Sequence, residues 1–185
     1  INALKLSAQR GFSNVQIAIG ILVGVIILLG SLGGYQYINQ AKVNNEITTL
    51  ADLKAATVRY GQFAGLFTST NVTLAILSGQ NFFNGAGLAS SGSGTDLVIS
   101  NQWGGKVTVA VGTAGVAGDS IDFTFTNVPS NACQELGSKV DNLVAKVKIG
   151  TTDTKAVGAA SNLASVTTAC TGGGQANTII YTMQK

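Results

Sequence analysis

The sequence contains no histidine, one proline and only two cysteines, and these scarcities exclude whole classes of function. Without histidine, the chain lacks the commonest general base and the commonest nitrogen ligand for metals. Two sulfurs alone cannot complete the tetrahedral site that zinc requires. The run Gly172-Gly173-Gly174 lacks the Lys and Ser/Thr of a phosphate-binding loop. We therefore expect no catalytic, metal or cofactor site, and we predict that the chain is not an enzyme.

Charged residues are also scarce, at 10% of the chain, where a soluble domain carries about 25%. No charged residue occurs between Arg10 and Lys42, and Ser, Thr, Asn, Gln and Gly supply much of the remaining polarity. The net charge of +3 comes from eleven basic and eight acidic residues that are scattered rather than clustered. A nucleic-acid surface needs clustered cations, so no specific nucleic-acid site is predicted.

Residues 12–38 form one long apolar segment. A helix of about 20 apolar residues crosses the ~30 Å hydrocarbon core of a bilayer, so a transmembrane helix is predicted here. Within it, Gly20 and Gly24 have the spacing that lets two helix backbones approach closely. The basic flank at Arg10 favours a cytoplasmic N-terminus. A secretory signal peptide has a similar order, but this segment is too long and no small-residue cleavage site follows Leu32.

The helical pattern continues past residue 38, but it becomes amphipathic. Apolar side chains recur at three- and four-residue steps, with Glu46 and other polar residues mostly on the remaining faces. This pattern predicts one continuous helix from about residue 13 to about residue 63, with its second half packed on a core. The apolar stripe consists of Val43, Ile47, Leu50, Leu53, Thr57 and Tyr60.

The rest of the chain predicts a small sheet. Residues 121–127 alternate apolar and polar side chains, as expected for a strand with one buried face. Further strands are predicted at 97–100, 106–111 and 178–183, two helical turns at 72–78, and a helix over 132–147 that is capped by Ser130 or Asn131. The fold class is therefore α+β, with a long helix whose apolar half protrudes and whose second half packs on an antiparallel sheet. The predicted organisation is a leader-like segment or N-terminal extension (1–11), the apolar helix (12–38), its amphipathic continuation (39–66) and a globular head (67–185).

The two cysteines, Cys133 and Cys170, leave two alternatives open. If they pair, the bond constrains the unfolded chain by roughly 3–4 kcal/mol. If they do not, they are buried free thiols. The polar, Gly-rich surface and the membrane segment favour export to an oxidising compartment, where disulfides persist.

Four features, taken in order along the chain, resemble the type IV pilins, and more specifically the type IVb branch that includes the toxin-coregulated and bundle-forming pilins. Each motif is weak alone, and their order makes the match specific. They are Arg10-Gly11-Phe12 before a long apolar helix, Asn101-Gln102-Trp103-Gly104-Gly105, Asn131-Ala132-Cys133 opening a helix, and Ala169-Cys170 before a Gly-rich turn and a closing strand at 178–183.

The resemblance implies specific roles for several residues. It implies cleavage by a prepilin peptidase after Gly11, methylation of Phe12, and a disulfide between Cys133 and Cys170 that bounds the C-terminal region. Gln16 occupies the fifth mature position, where the family usually has Glu. Its amide can accept a hydrogen bond but cannot neutralise the N-terminal amine of a neighbouring subunit. The candidate subunit contacts are Gln16, Gly20 and Gly24.

The function that the resemblance implies is that of a major structural subunit of a type IV pilus. The expected partners are further copies of the chain in a helical homopolymer, the prepilin peptidase and the pilus assembly machinery. The expected location is a precursor pool in the bacterial inner membrane, followed by an extracellular pilus that serves adhesion, aggregation or conjugation-related contact. The alternatives are a minor pilin or secretion pseudopilin, and a non-polymerising single-span membrane protein with a binding ectodomain.

Overall fold

A computed structural model of the chain describes residues 14–83 and 86–185, with side chains described from residue 38 onward. It comprises two compact units that divide between Ile38 and Asn39. The elements are α1 (Asn14–Ala64), α2 (Leu74–Gly79), β1 (Ala89–Ser91), β2 (Val98–Ser100), β3 (Lys106–Thr113), β4 (Ala117–Val128), α3 (Ser130–Lys139), β5 (Lys146–Ile149), β6 (Thr152–Lys155), α4 (Leu163–Gly172) and β7 (Asn177–Gln184).

The long predicted helix is confirmed as α1, whose bounds lie within one residue of the prediction. In the predicted transmembrane segment, residues 12–38, the side chains of residues 12–37 lie outside the described part of the chain. Among the residues that the structure describes, no helix is both long and apolar enough to cross a membrane.

The C-terminal unit contains one seven-stranded sheet with the order β1-β2-β3-β4-β7-β5-β6. Every neighbouring pair is antiparallel. The central strand β4 alternates as predicted, with Ile121, Phe123 and Phe125 buried on one face. Phe123 lies opposite Tyr181 of β7, and the rings of Phe125 and Tyr181 meet edge to face with centroids 5.4 Å apart. These pairs form the centre of the core.

From Asn39 onward, α1 packs on the sheet, as predicted. Leu50 and Leu53 are fully buried, Val43 and Ala56 are nearly so, and all four belong to the same core cluster as the β4 side chains. Burial of one such Leu side chain contributes about 1.5–3 kcal/mol. The amphipathic stripe therefore attaches this part of the helix to the head.

One prediction about α1 was wrong. The sequence pattern places Glu46 on a polar face of the helix, but the structure shows it fully buried. It lies three residues after Val43 and four before Leu50, which places it within the apolar stripe.

The predicted helix over 132–147 was too long. Helix α3 ends at Lys139, and residues 146–149 form β5 because this segment pairs with β7, with Val147 opposite Tyr181. The N-cap of α3 is Pro129 rather than Ser130 or Asn131. The strands β1, β5 and β6 and the helix α4 were not predicted.

Candidate functional site

The predicted processing and contact residues lie at the N-terminal end of the chain. Gly11 and Phe12 lie outside the described residues, and so do the side chain of Gln16 and the surroundings of Gly20 and Gly24. Their roles remain predictions. The functional features that the structure does describe are the attachment of α1 to the sheet, the turn at Asn101 and the disulfide-bounded region.

The C-terminal half of α1 is joined to the sheet and to the following loop by hydrogen bonds as well as by packing. Lys54 Nζ donates to the carbonyl oxygen of Gln184, in β7, at 2.6 Å. Burial lowers the pKa of Lys54. Tyr60 Oη donates to the carbonyl oxygen of Asn71 at 2.9 Å. The first bond holds the helix to a strand that is distant in sequence, and the second holds it to the loop that follows it.

The buried Glu46 carboxyl lies against the turn between β2 and β3. Its Oε2 accepts a hydrogen bond from the Gln102 N–H at 3.4 Å, whereas its Oε1 has no partner among the described residues. Burial raises the pKa of Glu46 to about 7, although the hydrogen bond from Gln102 opposes the rise. Burial, and then the charge of Glu46, raise the pKa of Tyr181, whose hydroxyl is also buried without a partner among the described residues. Glu46 is thus a buried, ionisable link between α1 and the sheet.

The turn that carries Gln102 is organised by Asn101. Its Oδ1 accepts from the N–H groups of Trp103 and Gly105, at 3.0 and 2.9 Å, and its Nδ2 donates to the carbonyl oxygen of Thr126 at 2.7 Å. A Cβ at Gly105 would lie 1.8 Å from that Thr126 oxygen, so only glycine fits. Gly104 has φ +74, in the left-handed region that glycine adopts easily. The Asn-x-aromatic-Gly-Gly motif therefore has a specific structural role: it joins β2 to β3 and places Gln102 over Glu46.

A second carboxyl closes the hairpin between β3 and β4. The side chain of Asp119 accepts from the N–H groups of Ala114, Gly115 and Val116 at 2.8, 2.7 and 3.0 Å. Partial burial raises its pKa, but these hydrogen bonds outweigh that effect and lower the pKa of Asp119 to about 2. Asp119 is thus a hydrogen-bond acceptor for the turn. In the part of the chain that the structure describes, no three His, Cys, Asp or Glu side chains form a metal-binding group.

The disulfide joins Cys133 of α3 to Cys170 of α4, with 5.7 Å between their Cα atoms. The disulfide-bounded C-terminal region that the resemblance implies is therefore confirmed. Both cysteines are fully buried, and a Cβ at Gly137 of α3 would lie 2.7 Å from Val166 Cγ1 of α4. The absence of a side chain at Gly137 lets the two helices approach closely beside the bond.

Glu46 is the residue of this site that sequence reasoning missed. A signal was present, because Val43, Glu46, Leu50 and Leu53 follow three- and four-residue steps along one helix face. The contact with Gln102 was not visible, since it joins residues 56 positions apart. Alpha-helix α4 was missed because its sequence, LASVTTACTG, is rich in Thr and Ser and has a weak apolar pattern.

The PilS N-terminal family model matches residues 41–184. A crystal structure of a type IVb pilin from Salmonella typhi is similar, with a TM-score of 0.57 and 22% identity, over 77% of this chain and 99% of that one. TcpA, a type IV pilin from the El Tor biotype of Vibrio cholerae, is similar with a TM-score of 0.56 and 13% identity, over 77% of this chain and 98% of that one. No match was found among curated proteins.

The family match covers well over half of the chain, and the two solved structures share its fold. The long helix packed on an antiparallel sheet and the disulfide near the C-terminus agree with that fold. This chain therefore belongs to the PilS family and has the fold of the type IVb pilins, which are structural proteins rather than enzymes.

Proposed function

We propose that this chain is a structural subunit of a type IV pilus filament that assembles through its N-terminal helix. The observation that carries the proposal is the family match over residues 41–184, which begins where the long apolar segment ends. The two parts of the sequence have separate tasks under this proposal. Residues 12–38 hold the chain first in the inner membrane and then in the filament core, and the head forms the outer surface.

The driving force for the second step is burial of apolar surface. Each Å² of apolar surface that is removed from water contributes about 25 cal/mol. A segment without a charge between Arg10 and Lys42 can therefore leave the membrane only if neighbouring copies cover it. A bundle of identical helices provides that cover, with Gly20 and Gly24 allowing close approach and Gln16 accepting a hydrogen bond from a neighbouring N-terminus.

Processing precedes assembly in this proposal. The prepilin peptidase cuts between Gly11 and Phe12, the new N-terminus at Phe12 is methylated, and the pilus assembly machinery extracts the subunit. The head domain, residues 67–185, is stabilised outside the cell by the disulfide between Cys133 and Cys170. The pilus on the cell surface then makes the contacts of adhesion, aggregation or conjugation.

The test uses filaments that are sheared from cells and purified by sedimentation. We expect this chain to be the main protein of the filaments. We also expect mass spectrometry to show an N-terminal peptide that begins at a methylated Phe12, and a disulfide that links the peptides of Cys133 and Cys170. Filaments composed mainly of another protein would reassign the chain to a minor pilin or pseudopilin role. Cells that make the chain but no filaments would refute polymerisation.

A variant pair tests the role of the helix. Replacing both Gly20 and Gly24 with Leu places bulk on the proposed contact face, whereas Ile26→Leu changes shape elsewhere on the same helix at equal hydrophobicity. We expect the double variant to remain in the membrane fraction at normal abundance and to lose filaments. The Ile26→Leu control should assemble normally. Equal filament yields from all three proteins would refute close helix approach at these glycines.

A further inference from the structure

A cleft opens between the last turns of α1 and the segment that follows α2. Its volume is about 260 Å³, and the side chains that line it come from only two places. From α1 come Ala56, Arg59, Tyr60 and Phe63, which lie three or four residues apart and so share one face of the helix. From the segment after α2 come Gln80, Asn81 and Phe82.

Aromatic rings that pack on one another form the floor of the cleft. The Tyr60 ring stacks on Phe67, with centroids 5.9 Å apart and planes 8° apart, and it meets Phe82 edge to face at 5.5 Å. The Tyr60 hydroxyl is fixed by its hydrogen bond to Asn71. Phe82 itself is only 2% exposed. A ligand that enters the cleft therefore meets the ring of Tyr60, which these contacts already hold in place, and this lowers the entropic cost of binding.

The rim of the cleft combines an exposed aromatic ring with an exposed cation. Phe63 is 85% exposed although it is a large apolar side chain. Arg59, one helical turn earlier, is also exposed. Within residues 38–83 and 86–185 the structure has one ion pair, between Lys139 and Glu135, and none of the described residues that line the cleft is a carboxylate. The guanidinium of Arg59 is therefore available to an anion from outside.

The remaining side of the cleft carries two amides. Gln80 is the C-cap of α2, and Asn81 follows it with φ +59, in the left-handed region where Asn is enriched among non-glycine residues. This backbone turn lets Gln80, Asn81 and Phe82 line the cleft in succession. Amide side chains both donate and accept hydrogen bonds, which suits a ligand with several hydroxyl groups.

We propose that this cleft binds an acidic sugar, namely a single sugar ring that carries a carboxylate. The apolar C–H face of such a ring packs on Tyr60 and Phe63, and its hydroxyl groups bond to the amide of Gln80. Its carboxylate receives the paired N–H groups of Arg59, because the guanidinium fork matches carboxylate geometry. The volume suits one ring rather than a chain of them, since pockets for larger ligands begin at roughly 300 Å³. The proposal does not depend on polymerisation, because every residue involved belongs to one copy.

The test uses the full chain in micelles of a detergent without a sugar headgroup, so that the detergent cannot compete. The probes are glucuronate and glucose, which differ at one carboxylate. Ligand-detected NMR titration measures both affinities. We expect glucuronate to bind with a Kd of about 1 mM, as a small ligand does with a few good contacts. Glucose should bind at least about tenfold more weakly, because it has no carboxylate to accept the charge-assisted hydrogen bonds from Arg59.

Matched variants assign the binding to this cleft. We expect Arg59→Gln to weaken glucuronate binding about tenfold and Phe63→Ala to weaken it about threefold to tenfold through lost ring contact. Lys106→Gln and Leu163→Ala make the same types of change at exposed positions elsewhere, and they should leave the Kd unchanged. All four side chains are exposed, so each variant should fold, which the denaturation midpoint of the chain checks.

Four outcomes would overturn the proposal. The first is equal affinity for glucuronate and glucose, and the second is an equal loss in Arg59→Gln and Lys106→Gln. The third is tighter binding of a short acidic peptide than of glucuronate at the same cleft, which would identify a peptide site instead. The fourth is no binding of glucuronate at concentrations about tenfold above the expected Kd.

Discussion

The buried carboxyl of Glu46 makes the stability of the head depend on pH in a way that one substitution removes. In the folded chain the pKa of Glu46 is raised from 4.5 to about 7 by burial. Below about pH 4.5 the group is protonated in both the folded and the unfolded chain, so it does not alter stability with pH. Between pH 4.5 and 7 the unfolded chain loses this proton first, so the free energy of unfolding falls as the pH rises. Above pH 7 the loss is complete.

The size of the effect follows from the shift. One pKa unit corresponds to about 1.4 kcal/mol, so the rise to about 7 makes ionisation of Glu46 cost on the order of 3 kcal/mol of folding stability at pH 8. Glu46→Gln keeps the shape of the side chain and an oxygen that can accept from Gln102, but it cannot ionise. We expect the variant to gain about 2–3 kcal/mol over the wild type between pH 5 and pH 8. For a domain of this size the gain corresponds to roughly 5–10 °C in Tm.

The assay is urea denaturation of the purified chain at pH 5, 6, 7 and 8, followed by tryptophan fluorescence. The chain has one tryptophan, Trp103, which adjoins the Gln102 that contacts Glu46. At each pH, the free energy of unfolding of the variant is subtracted from that of the wild type, which removes the contribution of every other titrating group. Glu135→Gln is the matched control, because Glu135 lies at the surface in an i,i+4 pair with Lys139. Its difference from the wild type should stay below about 1 kcal/mol at every pH.

The reasoning would be refuted if the difference between the wild type and Glu46→Gln were the same at pH 5 and pH 8. That result would mean that Glu46 titrates in the folded chain as it does in the unfolded one, and hence that the carboxyl is not buried against the sheet. If the stability difference between the wild type and Glu135→Gln changed with pH as much as that of Glu46→Gln, the titration would instead lie at a group other than Glu46.

Three further predictions concern the turn, the hairpin and the disulfide. Gly105→Ala should destabilise the head by about 3 kcal/mol or more, because its Cβ would overlap the Thr126 carbonyl oxygen. Gly172→Ala is the matched control, because a Cβ there meets no atom within 4 Å, and equal midpoints of the two variants in urea would contradict the close contact. Asp119→Asn should lower the free energy of unfolding by about 1–2 kcal/mol at pH 7. This loss should shrink as the pH falls from about 4 towards 2, because the lowered pKa of Asp119 stabilises the fold only where the carboxyl is ionised. A loss that does not change with pH in denaturation experiments would contradict the hydrogen bonds from the hairpin. Cys170→Ser should lower the free energy of unfolding by about 3–4 kcal/mol and should also lower the filament yield. Chemical reduction of the disulfide in the wild type should have a similar effect on stability. A variant as heat-resistant as the wild type would contradict a stabilising disulfide.

Much of the fold could be predicted from the sequence where one element carries its own pattern. The helix α1 was predicted within one residue at each end, because an apolar run and then an amphipathic stripe follow one another without proline from residue 14 to residue 64. The strand β4 was predicted because Ile121, Phe123 and Phe125 alternate with polar residues. In both cases the burial pattern of one element is sufficient to determine its type.

Other parts could not be predicted, because their structure depends on partners far along the chain. The spacing of Val140, Leu143, Val144 and Val147 fits a helix, yet Val147 pairs with Tyr181, and this sheet contact overrides the local pattern. The hydrogen bond from Gln102 to Glu46 joins residues that are 56 positions apart. The cleft likewise brings Arg59 and Gln80 together across a loop. Sequence periodicity contains no information about such contacts.

The central claim is that copies of this chain polymerise through their N-terminal helices, and electron cryomicroscopy of the sheared filaments tests it most directly. The account predicts a filament whose density is fitted by this sequence, with residues 12–38 of neighbouring copies packed together at the axis and the heads outside. A filament built from another chain, or one in which these helices do not touch each other, would contradict it.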